Sequence, residues 1–151
     1  MVGIVKPINK IVISGEPDID EYKDGSSGAI LPGDLCYLSG TNTIDEGGAA
    51  TGSTNMAVGI VSYEHANTLY QPATQATAYA SGTPAIPVIR LKSGLRVLAR
   101  VAANLPVGTP LTGSGAGTGE FAAATIGTNH VYAVLLEATG DSDQLAAIQI
   151  L

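Results

Sequence analysis

Residues 85–105 read AIPVIRLKSGLRVLARVAANL, and the fold class turns on whether this stretch is one helix or two strands. Leu91, Leu95, Leu98, Ala102 and Leu105 fall at helical spacing, but Gly94 interrupts the pattern and the β-branched Val97 and Val101 weaken it. A hairpin accounts for more of the residues. With Lys92-Ser93-Gly94 as a three-residue loop and Gly94 left-handed, Leu91 faces Leu95, Arg90 faces Arg96 and Ile89 faces Val97. One side of the ribbon then carries Ile89, Leu91, Leu95, Val97, Ala99 and Val101. The other carries Arg90, Arg96 and Arg100, with Val88 and Leu98 among them. A two-residue loop would scramble the two sides, so register selects the longer one.

Working outward, apolar runs of similar length recur at 34–38, 57–63, 76–80, 131–137 and 145–151, separated by clusters of Gly, Pro, Asn and Thr. Short runs between turn signals predict an all-β fold, a small β-barrel or β-sandwich. The 19 Gly and 8 Pro among 151 residues agree, since they favour turns over long helices. This length predicts one core, large enough to fold without disulfides or metal.

The first 30 residues differ from the rest. Ile4, Val5, Ile8, Ile11, Val12 and Ile13 are β-branched and broken by Pro7, after which Glu16, Asp18, Asp20, Glu21 and Asp24 form an acidic stretch ending in GSSG. The expectation is an extended N-terminal arm with one strand near residues 10–14 and a solvated acidic loop, over 1–30, followed by a barrel domain over 31–151. The start MVGIVKPINK lacks the apolar core of a signal peptide, and no run approaches a membrane span, so a protein made and used in solution is expected. A weak repeat is also present. Leu31-Pro32 aligns with Leu105-Pro106 at an offset of 74, which brings Ala49-Ala50-Thr51 onto Ala123-Ala124-Thr125. It reads equally as a duplication or as two similar hairpins in one barrel.

Charge narrows the function classes. Thirteen acids against seven bases give a net charge of -6, the wrong sign for tracking a phosphate backbone. Charged residues make up 13% of the chain, so much of the exterior must be Ser, Thr, Ala and Gly, which cost little to desolvate against another protein. Side chains for catalysis are sparse. Cys36 lies between Leu35 and Tyr37 as a small strand residue with no base at a meaningful spacing, and His65 and His130 are too few for a tetrahedral metal site. The stretch GSGAGTG at 113–119 lacks the Lys-Ser or Lys-Thr of a phosphate loop and reads as a hairpin tip. Asp18, Asp20 and Asp24 do not fit a calcium-loop frame. No catalytic, cofactor or metal site is expected, and no enzyme. The cluster Arg90, Lys92, Arg96 and Arg100 reads either as a solvated face or as a docking ridge for an acidic surface.

From residue 31 to 151 the order of features resembles the head decoration, or capsid cement, proteins of tailed viruses such as bacteriophages. The matching features are Leu31-Pro32-Gly33-Asp34-Leu35, the strand Ala57-Val58-Gly59-Ile60-Val61, and Leu95-Arg96-Val97-Leu98-Ala99. Val107-Gly108-Thr109-Pro110-Leu111 and Gly140-Asp141 before a closing apolar strand complete the set. The resemblance implies a small β-tulip-like β-barrel that forms a homotrimer on the exterior of the virion, made in the host cytoplasm, with its arm laid on the major capsid protein and no nucleic acid or membrane partner. The residues expected to bind partners are then Ile4, Val5, Ile8, Lys10, Ile11, Val12 and Ile13 of the arm, with Arg90, Arg96 and Arg100 of the basic ridge. Two other classes stay open: a tail-tube or head-completion subunit, and a carbohydrate-binding β module, for which six Tyr speak and the absence of Trp speaks against.

Overall fold

The computed structural model describes residues 9–50, 55–115, 117–142 and 144–151. Among them are eleven strands and no helix. They are β1 (Val12–Ser14), β2 (Ile19–Asp24), β3 (Leu35–Gly40), β4 (Thr43–Glu46), β5 (Ala57–Val61), β6 (Ile86–Arg90), β7 (Arg96–Val101), β8 (Pro110–Gly113), β9 (Phe121–Ala123), β10 (Ala133–Leu135) and β11 (Gln144–Ile150). The all-β barrel expectation is met twice over. β2-β4-β3-β5-β6 close into one barrel, and β7-β9-β8-β10-β11 close into a second, with β1 added to the side of β7.

The two barrels have the same topology. Each closes its five consecutive strands in the same order, with the first and third parallel (β2 with β4, β7 with β9) and every other pairing antiparallel. Registers fix the matching positions. Ile44 lies opposite both Asp24 and Leu38, and Phe121 opposite both Val101 and Gly113, so Ile44 and Phe121 hold the same place and both are fully buried. The turns leading into β3 and β8 repeat bond for bond. Gly33 N–H donates to Val61 O and Val61 N–H to Asp34 O; Gly108 N–H donates to Leu135 O and Leu135 N–H to Thr109 O. Gly33 and Gly108 are both left-handed, at φ 88° and 84°. The halves repeat in structure, but not at the offset of 74: the lead-in turns match Gly33 to Gly108 and so Leu31-Pro32 to Pro106-Val107, and counting on from the matched Ile44 and Phe121 puts Ile126, rather than Ala123, at the position of Ala49. The halves differ most between β5 and β6, where residues 62–85 replace the shorter 136–143. Tyr79 anchors that insertion, its buried hydroxyl donating to Ser62 O at 2.6 Å.

Strand alternation distributes the core. Cys36, Val61, Ile86 and Val88 point into the first barrel with Ile30, Ile44 and Tyr79, while Leu35, Ile60 and Ile89 point the other way. Those three join one continuous cluster with the apolar side chains of the second barrel and with Ile11. The barrels therefore share a hydrophobic seam.

Two expectations about pairing are corrected. Lys92-Ser93-Gly94 does turn, with Leu95 N–H donating to Lys92 O and Gly94 at φ 86°, but the strands on either side do not pair with each other. β6 pairs with β2 and β5 of the first barrel, whereas Arg96 and Val97 lie opposite Gln149 and Ile148 of β11. Gly94 N–H donates to Ile150 O, which carries the turn away from β6. Alternation fixes which side of a strand is buried but not which strand lies beside it. The acidic loop is the second correction: Ile19–Asp24 is a strand that closes the first barrel against β6 and β4.

The paired lead-in turns give a direct test. Gly33→Ala and Gly108→Ala each place a side chain at positive φ, for about 1–2 kcal/mol. A Cβ on Gly33 also meets the Leu145 side chain, while one on Gly108 meets open space. Gly33→Ala is expected to destabilise by about 1–3 kcal/mol more than Gly108→Ala in urea titrations.

Candidate partner-binding surfaces

Ile4, Val5 and Ile8 lie outside the described residues. Of the remaining arm residues Lys10 is exposed, but Ile11 is fully buried and Val12 and Ile13 pack against the shared core. Ile11 to Ile13 therefore serve this chain's own fold. Ile11 O accepts from Leu98 N–H, and Val12 lies opposite Val97. The outer side of the strand is closed by Glu64, whose two carboxylate oxygens accept from Ile11 N–H at 2.7 Å and Val12 N–H at 2.8 Å. β1 is thus held in a slot between a strand and a carboxylate, and charge-assisted bonds of this length are the strong kind. Nothing in the sequence marked Glu64 for this role, because its partner is more than 50 residues away and is main chain.

The basic ridge is not assembled either. Arg90 belongs to the first barrel and makes a two-pronged pair with Asp20, at 2.5 and 2.9 Å, which holds the Asp20 carboxyl below its ordinary range. Arg96, on the second barrel, donates to the Gln149 side chain at 3.1 Å. Arg100 turns into the seam, 3.5 Å from the Asp34 carboxylate. Neighbouring strands answer Arg90 and Arg96, and the turn before β3 answers Arg100, so the like-charge pairing foreseen for Arg90 and Arg96 never arises.

The residues considered for chemistry also find structural employment. Cys36 is fully buried, its Sγ 3.4 Å from Gly59 O, and burial, then the nearby Asp34, pushes its thiol up far from thiolate formation at neutral pH. His65 Nδ1 meets the Ser62 hydroxyl at 2.8 Å, and Glu64 lies beside them. This cannot act as a nucleophile triad, because Ser62 is fully buried and the Glu64 oxygens are taken by β1 rather than by the imidazole. Of the acids Asp18, Asp20 and Asp24, the last is buried and ties two loops together. Burial opposes its ionisation, but bonds from Ser26, Gly82 and Gly28 outweigh that and lower its pKa. Among the described residues no group of three or more His, Cys, Asp or Glu is placed to hold a metal ion. No described helix is long and apolar enough to cross a membrane.

The seam is where unusual electrostatics collect. Asp34, from the turn before β3, accepts from Leu31 N–H at 2.8 Å and faces Arg100 of β7, at the wall of a cleft of about 330 Å³ that Glu46 and Glu120 also line. Gly119 lies directly against its carboxyl group, where a Cβ would collide with it. Burial raises the Asp34 carboxyl to about 7, against the pull of the Leu31 bond and of Arg100, whose Nε is in reach but not aligned to donate. Glu46 is raised too, by burial and by its neighbour Asp45. The GSGAGTG tip belongs to the same seam: Gly119 O accepts from Leu35 N–H, and Gly117 N–H donates to Glu46 O. Gly113 and Gly119 permit close approach of the other barrel rather than of a phosphate.

No family model matches the chain, and no curated protein matches it.

Two outcomes follow from these contacts. A carboxyl raised from 3.8 to about 7 on folding holds a proton that the unfolded chain releases. The contribution of Asp34 to stability is therefore expected to be fully present below pH 4, to fall away as pH climbs through 7, and to level off above, a loss on the order of a few kcal/mol. Asp34→Asn keeps an acceptor for Leu31 and cannot titrate, so its melting temperature should change much less between pH 5 and 8; an unchanged slope would disprove the assignment. Glu64→Ala leaves two amides without their acceptors, at about 1–3 kcal/mol each. Hydrogen exchange at Ile11 and Val12 should accelerate at least about tenfold while the barrel strands stay protected.

Proposed function

We propose that this chain is a structural virion protein that binds the outer surface of a viral capsid as a trimer and cements the shell. The observation that supports the reading is how the chain uses its N-terminal stretch. Residues 11–14 lie along β7 as an added strand outside a closed barrel. A β-branched segment that binds through its main chain is suited to strand addition on another protein's sheet edge, and the residues just before it, Ile4, Val5 and Ile8, continue the same composition. Closed barrels suit the task because they offer few edges for misdirected pairing. A weakly charged exterior suits it as well, since the central part of a protein interface is depleted of charge.

In this reading the arm that reaches the shell is residues 1–8, and Ile11 to Ile13 fix its root to the second barrel. Arg100 turns into the seam, and Arg90, paired with Asp20, stands at the surface with Arg96 and Lys10. Many identical copies on a lattice then multiply a modest single contact.

Co-sedimentation with expanded, undecorated shells of a tailed virus tests the proposal. The wild type should pellet with shells and not with double-stranded DNA, and Ile4→Asp with Val5→Asp should weaken shell binding at least about tenfold, or ~1.4 kcal/mol, with unchanged thermal melting. A folded protein that stays in the supernatant with every shell offered would refute it.

A further inference from the structure

The seam joins unlike faces of like barrels. The first barrel contributes the turn before β3 and the loop after β4, where Gly33 packs on β7 and β11 and Ala49 O accepts from the Tyr132 hydroxyl. The second contributes the end of β7 and the β8–β9 hairpin, where Arg100 meets Asp34 and Gly113 lies against the Gly48 main chain. Because the barrels are repeats, each carries a copy of the face that the other uses, and parts of both copies stand at the surface: Leu38 on the first barrel, Val107 and Ile126 on the second.

Those unused faces hold most of the large apolar side chains that the described surface exposes. On the second barrel, Val107 takes the place of the buried Pro32 and is 64% exposed; Ile126 takes the place of Ala49 and is 78% exposed. Between them Gly108, the counterpart of the tightly packed Gly33, faces open space. On the first barrel, Leu38 takes the place of the buried Gly113 and is 47% exposed, and Lys23 stands where Arg100 does. Charge agrees with this pattern. Between Arg100 and Glu137 the only charged residue is Glu120, so the open face of the second barrel is uncharged over its whole length. A scattered exposed Leu or Val needs no explanation, but apolar side chains at the copies of an existing interface do.

We infer that copies of this chain associate head to tail, the Val107 and Ile126 face of one chain's second barrel docking on the Leu38 face of the next chain's first barrel. The partner is a second copy, because its first barrel presents the repeat of the face already docked inside the chain. The contact cannot duplicate the internal seam atom for atom. Pro110, at the position of Leu35, has no N–H to donate, and Leu38 adds bulk where Gly113 has none. It is a looser relative of the seam, closed by side chains rather than by glycine contact. Unlike faces leave one of each kind open on every copy, so the assembly must close as a ring or run on as a fibre.

This interface is read from the isolated protein and does not rest on shell binding. The test uses two variants, Leu38→Glu and the double substitution Val107→Glu with Ile126→Glu, all at exposed positions. In analytical ultracentrifugation the wild type is expected to exceed the mass of one chain, and each variant to sediment as a single chain with unchanged melting. Mixed in equal amounts, they should form a one-to-one pair of twice the chain mass and nothing larger, since each retains one intact face of opposite kind. As a second measurement, Leu38→Cys with Ile126→Cys should give a ladder of disulfide-linked species on oxidation. A ring of three copies agrees with the trimer of the capsid reading, whereas a larger ring or a fibre keeps this interface and overturns that trimer. A wild type that remains a single chain at millimolar concentration, or variants that assemble as the wild type does, would overturn the inference.

Discussion

The structure depends on how closely two closed barrels can approach. Their seam is made where side chains are missing: Gly33 against β7 and β11, Gly113 against the Gly48 main chain, and Gly119 against the Asp34 carboxyl group. Close main-chain approach lets Leu35 N–H reach Gly119 O and Arg100 N–H reach Gly33 O. It also brings Leu35, Ile60 and Ile89 into the core that the second barrel fills. Each barrel is small for an independent unit, with five strands of three to seven residues. A domain of that size buries a modest share of its surface, so pooling two cores is the physical reason for the pairing.

The same closeness strands an acid in the interior. Asp34 serves the turn before β3 through Leu31, and its counterpart in the second barrel, Thr109, has no such charge to bury. Desolvation outweighs the attraction of Arg100 because the guanidinium reaches the carboxylate without lining up a hydrogen bond. The seam is thus the part of the molecule where stability and proton binding are linked, and the link comes from packing rather than from any role in chemistry.

Much of the fold was legible in the sequence, and the misses share a cause. Alternation in Arg96-Val97-Leu98-Ala99-Arg100-Val101 identified a strand, and Gly94 identified a left-handed turn, because both are local properties. The partner of that strand was not local. Either β6 or β11 satisfies the same alternation, and the choice is made by barrel closure. Ile19–Asp24 was hidden because four of its six residues are charged, and its place in the ladder is set by β6 across a long stretch of chain. The weak repeat was the one long-range signal available, and it pointed to the duplication that the two barrels display, although the pair it laid on Leu31-Pro32, Leu105-Pro106, is one position out of step with the matching turn. The expected docking residues fared worse. The fold uses Ile11 and Arg100 internally and pairs Arg90 with Asp20 at the surface, whereas Leu38, Val107 and Ile126 look unremarkable until the repeat gives each a counterpart in the seam.

The position of β7 has a mechanical consequence. Both ends of the described chain, β1 and β11, flank this one strand and run antiparallel to it, so they run parallel to each other. A pull applied to the first strand toward its start and to the last toward its end slides them past β7 in opposite directions. The load then falls on the whole ladder at once, in shear, rather than parting its bonds one by one from an end. The bonds from Ile11 and Val12 to Glu64 share that load on the side where the ladder is shortest. Tension between the two outer strands therefore meets the molecule along its ladders.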